Sequence, residues 1–155
     1  MTNLAPPLQT SQWFNTPQPL SLEGLRGRVV AIHAFQMLCP GCVMHGIPQA
    51  VRLHQTFDSS QLVVIGLHTV FEHHAVMGPA ALKVFIHENR LRFPIAVDEA
   101  APQGDIPLTM AALALQGTPS WVLIDRLGQV ALSHFGQMED LALGAVVGQL
   151  IAQPV

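Results

Sequence analysis

The sequence predicts an α/β fold, a central mixed β-sheet with helices on both faces. Three observations lead there. Two near-continuous apolar runs with β-branched residues, Val29 to Phe35 and Leu62 to Leu67, have the character of strands buried on both faces. Segments of helical periodicity follow each of them. Two further apolar segments, Ser120 to Asp125 and Val130 to Phe135, flank the tight turn Arg126-Leu127-Gly128-Gln129 and make a hairpin. The resulting order is strand, helix, strand, helix, strand, short helix, hairpin, helix, which implies a mixed sheet covered by helices.

Residues 1–20 contain Pro6, Pro7, Pro17 and Pro19 and read as an irregular lead-in, with Trp13 and Phe14 available to pin it to the body and room for a short strand. Ser21 to Gly27 is a turn segment ahead of the first strong strand. That strand, Val29 to Phe35, has a single polar interruption, His33. The helix after Cys39 is expected to run to about Phe57. Pro40 suits its first turn, where a missing N–H costs nothing. Pro48 should kink it, because it cannot donate to the carbonyl of Met44.

Beyond the Leu62 strand, Val76 to Asn89 has helical periodicity, with Val76, Leu82, Phe85 and Ile86 on one face. Phe93 to Asp98 reads as a short strand. An acidic, proline-containing loop spans residues 99–107, and Leu108 to Leu115 is a short helix stopped near Gly117. The chain closes with an amphipathic helix, Glu139 to Ile151, whose acidic first turn suits the positive end of the helix dipole.

A length of 155 residues suits one domain with a proper core. Half the residues are hydrophobic and 11% are charged, so a compact protein is expected rather than a disordered one. A formal net charge of −3 leaves no basic footprint for nucleic acid. No apolar run reaches the roughly 18–20 residues that span a bilayer. The stretch Met1-Thr2-Asn3-Leu4-Ala5-Pro6-Pro7 lacks the basic and apolar regions of a secretory signal. The expected compartment is therefore the reducing cytoplasm, where a C-x-x-C pair is more often catalytic or metal-binding than a structural staple.

Cys39 and Cys42 are the only cysteines, and they stand at the strand-to-helix junction as Cys39-Pro40-Gly41-Cys42. The spacing alone admits redox chemistry, zinc or haem. Haem attachment needs a histidine directly after the second cysteine, and Val43 is there. Structural zinc takes four ligands and this pair offers two; His68, His73 and His74 lack convincing spacing to complete the set. A pair of inert core cysteines is the plainest alternative.

Four features together resemble the thioredoxin-like superfamily, and within it the TlpA-like and peroxiredoxin-related (redoxin) thiol-disulfide oxidoreductases, over about residues 22–152. They are the buried strand running into Cys39-Pro40-Gly41-Cys42 and a kinked helix, Gly117-Thr118-Pro119 directly before a strand, Phe93-Pro94-Ile95-Ala96-Val97-Asp98, and the hairpin from Val122 to Val130. The resemblance implies a thioredoxin-like domain over residues 21–155. It implies a cis bond before Pro119, with Thr118 and Pro119 binding substrate through exposed backbone. The sequence also departs from the pattern. Leu38 stands where an aromatic residue precedes the first cysteine, His33 where thioredoxins bury an aspartate, and His45 where TlpA-like proteins often carry glutamate.

On this reading Cys39 is the nucleophile, because a thiolate at a helix N-terminus is stabilised by unpaired N–H groups. Cys42, one turn on, resolves the mixed disulfide. His33 is a candidate for taking the Cys42 proton, with a core histidine as the blander alternative. Pro40, Gly41 and His45 shape the site. The expected cofactor is none beyond the redox-active disulfide, and no metal. The partners are a protein or low-molecular-weight disulfide and an upstream thiol reductant such as a thioredoxin system. The alternative is a peroxiredoxin-like thiol peroxidase using Cys42 as its peroxidatic cysteine. A non-catalytic or metal-handling domain is a further one.

Overall fold

In the computed structural model, which describes residues 3–155, the two apolar runs form β2 (Val29–Phe35) and β3 (Leu62–His68). Every residue of both strands is buried, as their lack of alternation requires. They run parallel, with Val29 opposite Leu62 and Phe35 opposite His68. On one side β4 (Ile95–Asp98) continues the parallel set, and β1 (Thr10–Phe14) pairs antiparallel with it at the edge. On the other side the hairpin strands β5 (Ser120–Ile124) and β6 (Val130–Phe135) are antiparallel. The sheet is therefore mixed, in the order β1-β4-β3-β2-β5-β6.

The lead-in thus contributes an edge strand. It is the short strand for which Trp13 and Phe14 leave room, and its polar composition suits an edge position. Trp13 turns to one face of the sheet and Phe14 to the other, as adjacent strand residues must. In the hairpin turn, Asp125 Oδ1 accepts from the N–H groups of Leu127 and Gln129 at 3.0 and 2.9 Å, while Gly128 takes a positive φ of 85°.

Four α-helices follow the expected pattern: α1 (Ile47–Thr56), α2 (Pro79–Glu88), α3 (Leu108–Ala112) and α4 (Asp140–Ala152). The second starts later than periodicity suggested. His73 adopts a left-handed conformation with φ 50°, a short 3₁₀ turn covers His74–Val76, and Gly78 is extended. Pro79 then opens the helix, where its missing N–H is harmless. Val76 is left 58% exposed and does not share the buried face of Leu82 and Ile86.

Alternation along β2 and β3 divides the core. Val29, Ala31, Phe35, Leu62 and Val64 pack with Ile47, Ala50, Leu53, Leu82, Ile86, Leu143 and Val147, so α1, α2 and α4 share this face. Val30, Ile32, Val63, Ile65 and Leu67 face Leu22, Leu25 and the segment just after α3. Among the described residues, no helix is long and apolar enough to cross a membrane.

Asp98 ties β4 to α3. Its buried carboxylate accepts from the N–H groups of Thr109 and Met110 at 2.8 and 2.9 Å. These are helix-start donors that would otherwise lack partners. Desolvation raises its pKa overall, against the lowering effect of those bonds. Asp98→Ala would strand both donors in the interior. Denaturant titration should show a loss of about 2–4 kcal/mol; a change below about 0.5 kcal/mol, typical of a surface site, would count against this cap.

Candidate active site

The parallel strands β2, β3 and β4 end at the same edge of the sheet, and the cysteines lie just beyond β2. From Phe35 the chain turns through Gln36, Met37 and Leu38 to Cys39; Pro40 and Gly41 are already helical. Cys42–Gly46 then forms a wide π-helical turn that runs directly into α1, with the Ile47 N–H donating to the Cys42 carbonyl five residues back. The distortion expected at Pro48 takes this form. An extra residue is accommodated in the turn just before the proline.

The two thiols are unlike. Both are free. Cys39 is partly exposed, accepts the Cys42 N–H at Sγ (3.4 Å) and stands 3.6 Å from the Thr118 carbonyl, to which its S–H can donate. Cys42 is wholly buried. Burial first, and the adjacent Cys39 sulfur second, push its pKa up to about 12. The Thr118–Pro119 bond is cis. Pro119 packs on the motif: a Cβ built at Gly41 would lie 3.4 Å from its Cδ. Cys39, Cys42, Pro40, Gly41, Thr118 and Pro119 are therefore brought together.

His33 also belongs to this assembly. It is fully buried, and neither ring nitrogen has a hydrogen-bond partner. Its ring stacks on Phe35 at 5.9 Å and tilts against Trp121 at 4.8 Å. It presses against Gly46, where a Cβ would stand 2.6 Å from its Cε1. Desolvation lowers its pKa to about 3. His45, by contrast, is exposed and lines a polar cavity of about 290 Å³ with Gln49, Arg52 and Asp140.

Sequence reasoning missed several contributors. Gly46 admits the His33 ring, a pairing between elements that no local signal shows. Gln49 joins three elements: its Oε1 accepts from Trp121 Nε1 at 2.8 Å, and its amide donates to the Met138 carbonyl and Asp140. Gln36 and His68 brace the turn before Cys39, with His68 Nε2 accepting the Met37 N–H at 3.1 Å. In the sequence His68 stands out only as a candidate zinc ligand. Among the described residues, no group of three or more His, Cys, Asp or Glu side chains is arranged to hold a metal.

Burial holds His68 down to about pKa 4, as it does His33 to about 3. Both would titrate near 6.5 once unfolded. Below that pH the unfolded chain binds protons that the folded one refuses, so this contribution to stability is complete above pH 6.5 and is lost progressively toward pH 3–4. Each proton adds a slope of about 1.4 kcal/mol per pH unit. Denaturant titrations at pH 7, 6 and 5 should show this fall, and His33→Leu should remove about one proton of it. An unchanged slope in His33→Leu would show that His33 takes up its proton as readily in the folded chain as in the unfolded one.

A scan against models of known protein families finds no match. Among solved structures, a crystal structure of a thioredoxin-like superfamily protein is 50% identical, with a TM-score of 0.96 over 98% of both chains. A thiol-disulfide isomerase from Corynebacterium glutamicum is 51% identical over 97% of this chain and 98% of its own, with a TM-score of 0.92. Among curated proteins, DipZ from Mycobacterium bovis and from Mycobacterium tuberculosis are each 31% identical over 141 residues, 90% of this chain. The chain spans 19% of the length of these curated relatives.

Proposed function

Since the chain belongs to the thioredoxin-like superfamily, we propose that it is a thiol–disulfide oxidoreductase in which Cys39 attacks and Cys42 resolves. One observation carries this reading: the asymmetry of the two thiols. Cys39 is reachable from solvent and its sulfur has an N–H donor at 3.4 Å. Such a donor stabilises a thiolate, the attacking form. Cys42 is buried and kept protonated, with a pKa near 12. It stays silent until a mixed disulfide forms beside it.

The steps balance as follows. The Cys39 thiolate forms a bond to one sulfur of a substrate disulfide, and the other sulfur leaves as a thiolate and is protonated. Cys42 then loses its proton and attacks the Cys39 sulfur. The second substrate thiol is released and the Cys39–Cys42 disulfide closes. Two electrons have moved from the dithiol to the substrate, and an external thiol reductant must return them. His33 lies beneath the turn that Cys42 opens, with both ring nitrogens unpartnered. Burial holds it neutral with a pKa near 3, too weak a base for a thiol near 12, so the departing substrate thiolate is the better acceptor of the Cys42 proton. Thr118 and Pro119 present backbone beside Cys39, and the exposed side chains of Leu38 (54%) and Met44 (68%) offer a partner protein apolar surface.

The peroxidase alternative requires Cys42 as an accessible thiolate. Its burial and raised pKa speak against that. The deciding assay follows reduction of a generic disulfide and consumption of peroxide side by side with the reduced protein. The reading requires the first to dominate; peroxide consumption with sulfenate on Cys42 would replace it.

A further inference from the structure

We propose that His68 and Gln36 are positioning residues that hold the Gln36–Leu38 turn and thereby keep the Cys39 sulfur on its N–H donor. The inference rests on the reading of Cys39 as the attacking thiol. Its starting point is strand register. Phe35 lies opposite His68, so the chain leaves β2 beside the end of β3. The loop after β3 then fastens the turn from several directions. The Thr69 N–H donates to the Phe35 carbonyl at 3.0 Å. His68 Nε2 accepts the Met37 N–H at 3.1 Å. Gln36 Oε1 accepts the Phe71 N–H at 3.1 Å, and its amide donates to Glu72 at 3.3 Å. The Gln36 carbonyl in turn accepts the Cys39 N–H at 3.0 Å.

Both side chains are 1% exposed, so neither is a surface group in a chance contact. Accepting the Met37 N–H at Nε2 requires a neutral imidazole with its proton on Nδ1. Burial keeps the ring neutral, and Phe35 packs against it at 5.1 Å. The sulfur of Cys39 is thus located from two sides. The helix supplies the Cys42 N–H at 3.4 Å, and the braced turn sets how far the sulfur stands from it. If the brace is lost, the turn relaxes and Sγ drifts from the donor. The thiolate loses stabilisation and attack slows.

The test uses Cys42→Ser protein, which has one thiol, and follows its alkylation by iodoacetamide as a function of pH. Adding His68→Leu should move the midpoint of the profile to higher pH and slow alkylation at pH 7 by about tenfold, the scale of one charge-assisted hydrogen bond. His68→Gln, whose amide oxygen can accept the same N–H, should recover most of the rate. A His68→Leu profile identical to its parent, with only the melting temperature lowered, would reduce His68 to a structural residue and overturn the proposal. So would a His68→Gln profile no better than that of His68→Leu. Should His68→Leu fail to fold, Gln36→Leu is read by the same profile, and an unshifted midpoint there overturns it equally. Failure of the underlying reading shows elsewhere: Cys39→Ser protein would still reduce disulfides through Cys42.

Discussion

Cys42→Ser protein mixed with a disulfide substrate should stop at a stable mixed disulfide on Cys39, and Cys39→Ser should lose disulfide reduction by on the order of 10³-fold or more. The two results differ because the thiols differ. On the proposed roles, removing Cys39 removes the partly exposed sulfur beside an N–H donor to which the attack is assigned. The remaining Cys42 is fully buried, and that burial, the largest cause of its raised pKa, keeps it protonated and out of reach, so it cannot take over. Removing Cys42 leaves the attack intact, so one substrate half is captured and nothing expels it. Mass spectrometry of the trapped adduct identifies the sulfur directly. Were the adduct to form on Cys42 in Cys39→Ser protein at a wild-type rate, the assignment of roles would be reversed. The same trap, applied to a cell extract, would identify which proteins the chain meets.

The parts of the site legible in the sequence are those fixed by local chemistry. A buried strand needs apolar residues throughout, so β2 and β3 could be read from composition. A helix start tolerates proline, so the junction at Cys39 and Pro40 could be placed. The Thr118–Pro119 pair came from resemblance to a family, not from physical derivation. What stayed hidden depends on register. Nothing near Gln36 in sequence indicates that Phe71 and Glu72 will face it, or that His68 will reach the Met37 N–H. These contacts exist because β2 and β3 lie parallel with Phe35 opposite His68. The late start of α2 lies with Gly78-Pro79, an extended glycine and a helix-opening proline, a local signal that apolar periodicity over Val76 to Asn89 does not contain. β1 is the short strand for which the lead-in has room at Trp13 and Phe14; an edge strand, covered on one side only, leaves little more apolar signal than that.

Gly46→Ala is expected to destabilise the protein by about 1–3 kcal/mol, the usual cost of overpacking, even though alanine is the better helix former by about 1 kcal/mol. The sign turns on what the new methyl group meets. It would stand 2.6 Å from His33 Cε1 and 3.3 Å from Pro119 Cβ. A surface side chain would swing aside, but the His33 ring is held between Phe35 and Trp121, and Trp121 is tied to Gln49 at 2.8 Å. The π turn must move instead, and it begins at Cys42. Resolution of the mixed disulfide should slow along with the loss of stability. His33→Ala supplies the control. Alone it opens a cavity, although it also removes two buried nitrogens without partners, which offsets part of that cost. Combined with Gly46→Ala, it gives the new methyl group room. The double variant should then be more stable than the sum of the single effects by about 1–2 kcal/mol, a coupling of the size found between residues in contact. Additive effects would mean that the imidazole and Gly46 do not touch in solution. In that case His33 would be free of the turn that Cys42 opens.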